Sequence, residues 1–187
     1  MPHQTGIPYA AVLDGTAARL DSYTIAPAGA ADRASILRLL KTVHFDTRGL
    51  RIRYFMIARG ADGRVLGCAQ IKPIGSERVL SSVAVDPTYR SRGVAGAIIR
   101  ALLARERGPV LLMCYGALIP YYRGFGFQPT AARHAPLGLY WRWAIIAVLG
   151  RMLPGLGGAA IMARPAAVSA GDEASDIGEK ESHGVRR

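Results

Sequence analysis

The residues best suited to chemistry in this 187-residue chain form a short basic loop that contains two glycines. The loop reads Arg90-Ser91-Arg92-Gly93-Val94-Ala95-Gly96, and apolar residues then recur at helical spacing up to Leu102. Main-chain N–H groups at the start of a helix lack intrahelical partners and lie at its positive end, and glycine lets a ligand approach closely. The loop therefore indicates a cradle for phosphate oxygens, strengthened by Arg90 or Arg92; the alternative is an ordinary basic turn.

The loop matches neither of the common nucleotide-binding fingerprints. The pattern GxxxxGK[ST] is absent from the chain, and so is GxGxxG after the first predicted strand. The sequence therefore disfavours an ATPase of the P-loop type and a dehydrogenase with the usual dinucleotide motif.

Two further positions carry reactive side chains. Tyr122 lies beside Tyr121 on a predicted short helix over 117–123, and its phenol could donate a proton; the alternative is a packed aromatic pair. Cys114 ends a predicted strand, and because no histidine follows at a motif-like distance, we interpret it as a buried thiol. The two cysteines and four histidines show no ligand spacing, so the sequence predicts no metal site.

The elements that must position these residues follow from hydrophobic periodicity and turn residues. They are a strand at 23–27, a helix opened by Asp32, a meander of strands at 54–58, 65–71 and 79–85, the helix after Gly93, a strand at 110–114, the helix at 117–123 and a turn into more strand. Asp62-Gly63 between the first two meander strands is a strong hairpin signal. This order predicts a mixed α/β sheet.

Composition limits the class of protein. The chain has 24 Lys and Arg against 13 Asp and Glu, a net charge of +11, and 50% hydrophobic residues. These values fit one folded domain with anionic ligands and exclude fibrous and wholly disordered chains. Cys68 and Cys114 are far apart and fit free thiols in a reducing compartment. Because we also find no signal peptide and no uninterrupted membrane-spanning run, the sequence predicts a cytoplasmic protein.

The basic loop and the strand before it resemble motif A of the GNAT superfamily of N-acetyltransferases. The core of that motif is Q/R-x-x-G-x-G/A, and Arg90, Gly93 and Ala95 occupy its three specified positions. Downstream, the segment ALIPYYRGFGF at 117–127 is similar to motif B, in which an aromatic residue and Tyr precede Gly-Phe by three residues. The resemblance covers about residues 23–127, and it leads us to expect a last strand at 160–165. Residues 67–73 are similar to a group of small bacterial members of the superfamily whose substrate is unassigned.

The resemblance implies the acyl-CoA N-acyltransferase fold, a central and mostly antiparallel sheet that is splayed at the cofactor strand and flanked by helices. It implies acetyl-CoA as cosubstrate and direct transfer of the acetyl group, in a ternary complex, to a primary amine of a small molecule or peptide. Tyr122 occupies the place of the family's general acid. The family's CoA-binding positions correspond here to Val83, Ala84, Val85, Arg90, Ser91, Arg92, Gly93, Val94, Ala95 and Gly96.

The sequence assigns no general base. Ser81 and Ser82 stand where family members often carry a carboxylate. Glu77, Asp86 and His44 remain as candidates, although each has a plainer interpretation at a hairpin, a turn or a helix end. A chain of water molecules leading to bulk solvent would also suffice.

Two other functions stay open at this point. Arg48, Arg51, Arg53 and Arg59 could bind nucleic acid, but they form no known module, so we expect no nucleic-acid partner. The first three could instead favour an anionic acceptor. A protein with this fold could also bind acyl-CoA as a sensor without turning it over.

The expected organisation is an N-terminal extension over 1–20, a GNAT domain over 21–168 and a disordered charged tail over 169–187. The family pattern has no counterpart for an apolar insertion at 128–158, in which a helix is predicted over 139–153. This helix could pack over the acceptor side of the sheet, form a homodimer interface or lie on a membrane surface.

Overall fold

The computed structural model of the chain describes residues 23–43, 47, 50–131 and 158–166. Several predictions fall on other residues: the N-terminal extension at 1–20, the helix at 139–153, the tail at 169–187, and the candidates His44 and Arg48. These predictions lie outside the described residues.

The described chain forms a mixed α/β fold around one sheet, as the order of predicted elements indicated. The strands are β1 (Tyr23–Pro27), β2 (Phe55–Gly60), β3 (Val65–Ile74), β4 (Glu77–Val85), β5 (Val110–Tyr115), β6 (Gln128–Pro129) and β7 (Ala159–Arg164). The helices are α1 (Arg33–Thr42), α2 (Val94–Leu103) and α3 (Ile119–Arg123). The strand expected at 160–165 is thus found as β7, and the first two residues of the predicted insertion form β6.

The 7-stranded sheet has the order β1-β2-β3-β4-β5-β7-β6. Among the described strands, β4 and β5 are the one parallel pair, and every other neighbouring pair is antiparallel. A parallel pair needs a long crossover, and the connection between β4 and β5 contains α2. The mostly antiparallel sheet flanked by helices confirms the predicted fold class.

Each face of the sheet is covered by a different helix. Phe55 and Ile57 on β2 pack with the buried face of α1, whereas Met56 and Ala58 pack with α2, because successive strand residues point to opposite sides. The α1 side buries Ile36, Leu39, Leu40, Phe55, Ile57, Cys68 and Ala84. The α2 side buries residues from every strand between β2 and β5 together with Tyr122, Phe127 and Met162. None of the helices in the described ranges is long and apolar enough to cross a membrane.

Asp32 is the N-cap residue of α1, as the sequence predicted, although its side chain bonds to residues outside that helix. Its Oδ2 accepts a hydrogen bond from the Gly29 N–H at 2.9 Å, and its Oδ1 lies 2.6 Å from Arg59 Nη2. Burial alone would raise the pKa of Asp32, but the hydrogen bonds from Arg59 and Gly29 and the charge of Arg59 outweigh it and hold the pKa below its usual value. Arg59, one of the arginines considered for nucleic acid, is therefore engaged within the fold.

The lowered pKa of Asp32 gives a prediction about acid stability. A carboxylate with a depressed pKa stabilises the native state above its unfolded pKa, and this stabilisation is lost as the pH falls through the folded pKa. We expect Asp32→Asn to lower the free energy of unfolding by about 1 kcal/mol at pH 7, and the difference from the wild type to shrink towards pH 3. Urea denaturation at both pH values measures this difference in the free energy of unfolding. Asp62→Asn, in an exposed turn, is the control. An equal deficit at both pH values would contradict the ion-pair explanation.

Candidate active site

The strands β4 and β5 part from each other halfway along the sheet. Their pairing runs from Arg78 opposite Val110 to Leu80 opposite Leu112 and covers no later residue of β4. The end of β5, up to Tyr115, pairs with β7 on its other side. We call the gap between residues 81–85 of β4 and 113–115 of β5 the fork. Outward N–H and C=O groups of β4 therefore face the fork without a strand partner in the described part of the chain.

A β-bulge at the closed end of the fork explains why β4 turns away. Cys68 of β3 pairs with Ala84 and Gln70 pairs with Ser81, so Ser82 and Val83 together oppose one residue of β3. Ser82 has a φ of +56°, a left-handed conformation that is uncommon for serine. An extra residue on one strand bends that strand and increases its twist. The buried Ser82 hydroxyl is held by a hydrogen bond from Gln70 Nε2 at 2.9 Å.

The predicted cradle is the N-terminus of α2. Gly93 precedes the helix with φ +77° and ψ 0°, and no side chain caps the helix there. The first bond into the helix runs from the Ala97 N–H to the Gly93 carbonyl at 3.0 Å, so the three N–H groups of residues 94–96 lie ahead of the intrahelical ladder. A Cβ built on Gly93 meets no atom within 4 Å. The loop is therefore open at its glycine and presents backbone donors at a positive helix end.

The arginines of the loop lie close to its acidic and aromatic residues. The Arg92 guanidinium carbon is 5.4 Å from the centroid of the Tyr89 ring. Asp86 Oδ1 accepts hydrogen bonds from the Thr88 N–H at 3.0 Å and the Thr88 hydroxyl at 2.7 Å. The Thr88 hydroxyl bond is the main cause that lowers the pKa of Asp86, and the charges of Arg64 and Arg90 lower it further.

Neither described carboxylate candidate for the base lies at the bulge. Asp86 is a turn residue with a lowered pKa, which makes it a poor proton acceptor near neutral pH. Glu77 begins β4 at the opposite end from the fork and pairs with Ile74 in the hairpin. The plainer interpretation of both residues therefore agrees with their structural positions.

Gly67 positions α2 against the sheet, and sequence reasoning missed it. A Cβ at Gly67 would lie 3.0 Å from Val94 Cγ1, 3.2 Å from the Ala84 carbonyl oxygen and 3.2 Å from Ile98 Cδ1. Only glycine allows the first turn of α2 to approach β3 so closely. A glycine in the interior of a strand pattern is a known sign of such an approach and could have identified this residue.

Replacement of Gly67 should therefore disturb both the fold and the cradle. We expect Gly67→Ala to lower the free energy of unfolding by about 1–3 kcal/mol, because the methyl group overpacks the contact with Val94 and Ile98. Thermal unfolding measures this loss. The matched control is Gly108→Ala, where a built Cβ meets no atom within 4 Å. Equal stability of the two variants would contradict the close contact.

Tyr122 lies on α3 and is 8% exposed. Its ring centroid is 5.3 Å from that of Tyr121 and 6.2 Å from that of Phe127, both in edge-to-face geometry. It belongs to the same buried cluster as Val94, the first residue of α2. The fold therefore brings the tyrosine and the start of α2 to one side of the sheet. Burial raises the pKa of the neighbouring Tyr121, although the charge of Arg100 opposes the effect.

The remaining positions that the resemblance predicts to bind CoA lie along the fork. Val83 and Val85 on β4 are partly buried on the α2 side, whereas Ala84 is buried on the α1 side. On the other edge of β4, Ala84 pairs with Cys68 and Val85 pairs with Gly67 of β3. The predicted strand positions and the predicted loop positions are therefore continuous along β4 and into α2.

Both cysteines are free and buried. Burial raises the pKa of the Cys114 thiol to about 11 and that of Cys68 to about 12. The Cys114 sulfur packs 3.7 Å from the Met162 sulfur. Thiols that stay protonated in apolar surroundings are poor nucleophiles, which agrees with the interpretation of Cys114 as a buried thiol.

Two arginines considered for an anionic acceptor lie before β2. Arg53 donates from Nη2 to the Tyr54 hydroxyl at 2.9 Å, and its guanidinium carbon is 4.8 Å from the Tyr54 ring centroid. This hydrogen bond is the main cause that lowers the pKa of Tyr54, and the charges of Arg53, Arg51 and Arg78 lower it further. The arginines thus form a positive surface around Tyr54.

Part of the chain matches a known protein family. The sequence model described as "Acetyltransferase (GNAT) domain" matches residues 51–129. This stretch contains the fork, the N-terminus of α2 and Tyr122. This part of the chain resembles a GNAT acetyltransferase domain. No curated protein matches the chain.

Solved structures share the fold of this chain. N-acetylglutamate synthase from Neisseria gonorrhoeae, complexed with coenzyme A and N-acetyl-glutamate, is 17% identical with a TM-score of 0.63; the match covers 80% of this chain and 36% of that protein. Rv2747 from Mycobacterium tuberculosis, in complex with CoA, is 20% identical with a TM-score of 0.61. The match covers 77% of this chain and 99% of that protein. The ribosomal-protein-S18-alanine N-acetyltransferase from Escherichia coli is 18% identical with a TM-score of 0.54. The match covers 81% of this chain and 98% of that protein. The chain thus spans about a third of the synthase.

Proposed function

We propose that the protein transfers the acetyl group of acetyl-CoA to a primary amine of a small molecule or peptide. The observation that carries this proposal is the continuity of the fork with the open N-terminus of α2. A strand edge with free backbone groups suits an extended pantetheine arm, and a helix start without a cap suits a diphosphate. The two sites follow one another along the chain, from β4 into the start of α2.

The residues at the start of α2 are the proposed diphosphate site. The N–H groups of Val94, Ala95 and Gly96 would donate to phosphate oxygens, and the open space at Gly93 lets those oxygens approach the backbone. Arg90, Ser91 and Arg92 would line the same site. Val83, Ala84 and Val85 would bind the pantetheine arm through their backbone groups, as the family resemblance implies.

The proposed chemistry is direct attack in a ternary complex. The amine nitrogen forms a bond to the thioester carbonyl carbon, and the bond from that carbon to sulfur breaks. Tyr122 gives its hydroxyl proton to the departing sulfur and regains a proton from solvent, while the new amide nitrogen loses a proton to water. A backbone N–H of β4 in the fork would donate to the carbonyl oxygen as it gains charge.

The descriptions of two structural neighbours mention an N-acetylated amino acid or an amino acid that is acetylated. One is complexed with N-acetyl-glutamate, and another is an N-acetyltransferase for an alanine of ribosomal protein S18. We take from them only the class of acceptor, a primary amine. We also propose a cytoplasmic location, because both cysteines are free thiols.

A second candidate function is acyl-CoA binding without turnover. It is favoured by one observation: neither Glu77 nor Asp86, the described carboxylates on or next to β4, lies at the bulge. Such a sensor would use the same CoA site.

Release of free thiol from acetyl-CoA distinguishes the two functions. The assay uses the full chain with amino acids, polyamines, aminoglycosides and peptides with free N-termini. Thiol release that depends on an amine supports the transferase. Binding of CoA without release for any amine in the panel would favour the sensor, and absence of CoA binding would contradict both.

A further inference from the structure

A group of arginines lies at the end of the sheet where β2, β4 and β5 begin. Arg53 donates a hydrogen bond to the Tyr54 hydroxyl at 2.9 Å, and the charges of Arg51 and Arg78 also act on that phenol. Two more arginines lie in the connection from α2 to β5 at the same end. We call these five residues the arginine end: Arg51, Arg53, Arg78, Arg105 and Arg107.

Contacts across elements hold the arginine end together. Nη1 of Arg105 lies 3.1 Å from the sulfur of Met56, which follows Tyr54 by two residues on the same stretch of chain. Arg78 at the start of β4 binds Glu106, the neighbour of Arg105, through two hydrogen bonds of 2.9 and 2.6 Å. Residues from three separate parts of the chain therefore form one surface.

Positive charge is in excess on this surface. Among the described acidic residues, Glu77 and Glu106 lie at this end, and Glu106 is already paired with Arg78. The other four arginines are exposed: Arg51, Arg53, Arg105 and Arg107. A cluster of exposed arginines with few carboxylates favours an anionic partner.

The chain leaves the sheet beside the arginine end. Arg164, the last residue of β7, pairs with Val110, and Val110 pairs on its other side with Arg78. Neighbouring strands lie about 4.8 Å apart, so β7 ends about 10 Å from Arg78. Asp172 follows the last described residue, Ala166, by six positions, which an extended chain spans in about 20 Å. The sequence after β7 is therefore long enough to reach the surface.

The segment 172–181 has the charge that complements this surface. Five of the 13 acidic residues of the chain lie within these ten positions, with one lysine among them: Asp172, Glu173, Asp176, Glu179, Lys180 and Glu181. One exposed ion pair contributes only about 0–1 kcal/mol and is screened by salt. A short tether, however, gives the segment an effective concentration in the millimolar range, so that several weak pairs act together.

We propose that the acidic segment 172–181 binds the arginine end of the same chain. The tether favours this occupant over a free polyanion of equal charge. The bound segment neutralises the exposed arginines and competes with other polyanions for them. The inference does not depend on CoA, because the start of α2 follows the opposite end of β4.

Zero-length cross-linking of the full chain tests the contact. A carbodiimide joins a lysine amine to a carboxylate that touches it, and Arg105→Lys supplies the amine while it keeps the charge. The proposal expects a cross-link from position 105 to a carboxylate within 172–181, in the monomer, identified by mass spectrometry. Its yield should fall about fivefold or more between about 0.05 M and 1 M NaCl, because salt screens exposed pairs.

The matched control is Arg64→Lys. Arg64 is also exposed but lies at the β2–β3 turn, the other end of those strands. Its yield with the segment should be at least about fivefold lower. Equal yields from the two variants, or cross-links confined to a dimeric species, would overturn the proposal.

A double-mutant cycle with heparin as the polyanion tests the competition. The acidic residues of the segment are replaced by their amides in one variant: Asp172→Asn, Glu173→Gln, Asp176→Asn, Glu179→Gln and Glu181→Gln. The affinity for heparin should rise about tenfold at low salt, because the arginine end becomes free. The loss of negative charge alone strengthens heparin binding at any basic site, so the cycle is needed.

The cycle adds arginine substitutions to the parent chain and to the amide variant. With Arg53→Gln and Arg105→Gln, the gain from the amides should shrink to about twofold, since the surface that they uncover is weakened. With Arg33→Gln and Arg64→Gln, two exposed arginines outside the arginine end, it should stay near tenfold. The same gain in both backgrounds would overturn the proposal.

Discussion

Gly93→Asp is expected to abolish the binding of CoA, with an increase in Kd of about 100-fold or more. Gly93 lies before the first turn of α2, and a Cβ there points into open space rather than into protein atoms. The aspartate would therefore fill the space that the diphosphate needs. Its charge would also oppose the phosphate charge at a distance of a few ångströms. Isothermal titration calorimetry with CoA measures the effect.

The matched control for this variant is Gly63→Asp. Gly63 has a φ of +80° against +77° for Gly93, and neither built Cβ meets an atom within 4 Å. Both substitutions therefore impose a similar left-handed strain of about 1–2 kcal/mol on a non-glycine residue. Gly63 lies in the turn between β2 and β3, away from α2. Gly63→Asp should keep CoA affinity, and equal losses for both variants would assign the effect to strain rather than to the cradle.

Tyr122→Phe is expected to reduce kcat by about 10²–10⁴-fold and to leave the Kd of CoA within about twofold of the wild type. The substitution keeps the ring that packs against Tyr121 and Phe127 and removes only the hydroxyl. Without that proton donor, the thiolate must leave unprotonated. Steady-state thiol release with the best amine of the panel, together with calorimetry, separates the two constants.

Tyr121→Phe is the control for this substitution. Tyr121 neighbours Tyr122 on α3, and its ring packs in edge-to-face geometry against both Tyr122 and Phe125. We expect its kcat to stay within about threefold of the wild type, since a phenol without a role in proton transfer contributes little to the chemical step. A large loss in Tyr121→Phe with none in Tyr122→Phe would move the acid role to the neighbour. Loss of CoA affinity in Tyr122→Phe would contradict the assignment.

Local patterns in the sequence predicted the elements of the fold well. The Asp62-Gly63 turn joins β2 and β3 as expected, and Ile36, Leu39 and Leu40 form the buried face of α1. These features depend on residues a few positions apart, where turn chemistry and periodicity act directly. Periodicity and turn residues also predicted the order of the later elements up to the turn after α3, and the family resemblance added the last strand.

The parts that escaped prediction depend on contacts between distant residues. The bulge arises where Gln70 and Cys68 pair with β4, and a serine with a positive φ gives no local signal. Gly67 matters because Val94 and Ile98 come from another element. The resemblance implied a splayed strand, but the pairing of β3 with β4 was needed to locate its cause at Ser82. Sequence reasoning predicted the cradle and the tyrosine from local motifs, whereas the position of the bulge required the sheet register.

The most direct test of the proposed function is calorimetric titration of the purified, folded full chain with CoA. The proposed function requires the backbone at the start of α2 to bind a diphosphate and the fork to bind the pantetheine arm. It therefore predicts saturable one-to-one binding with a Kd below about 1 mM, a free energy of about −4 kcal/mol or better. Absence of any binding heat at millimolar CoA would contradict the cradle, the fork and the acetyl-transfer function together.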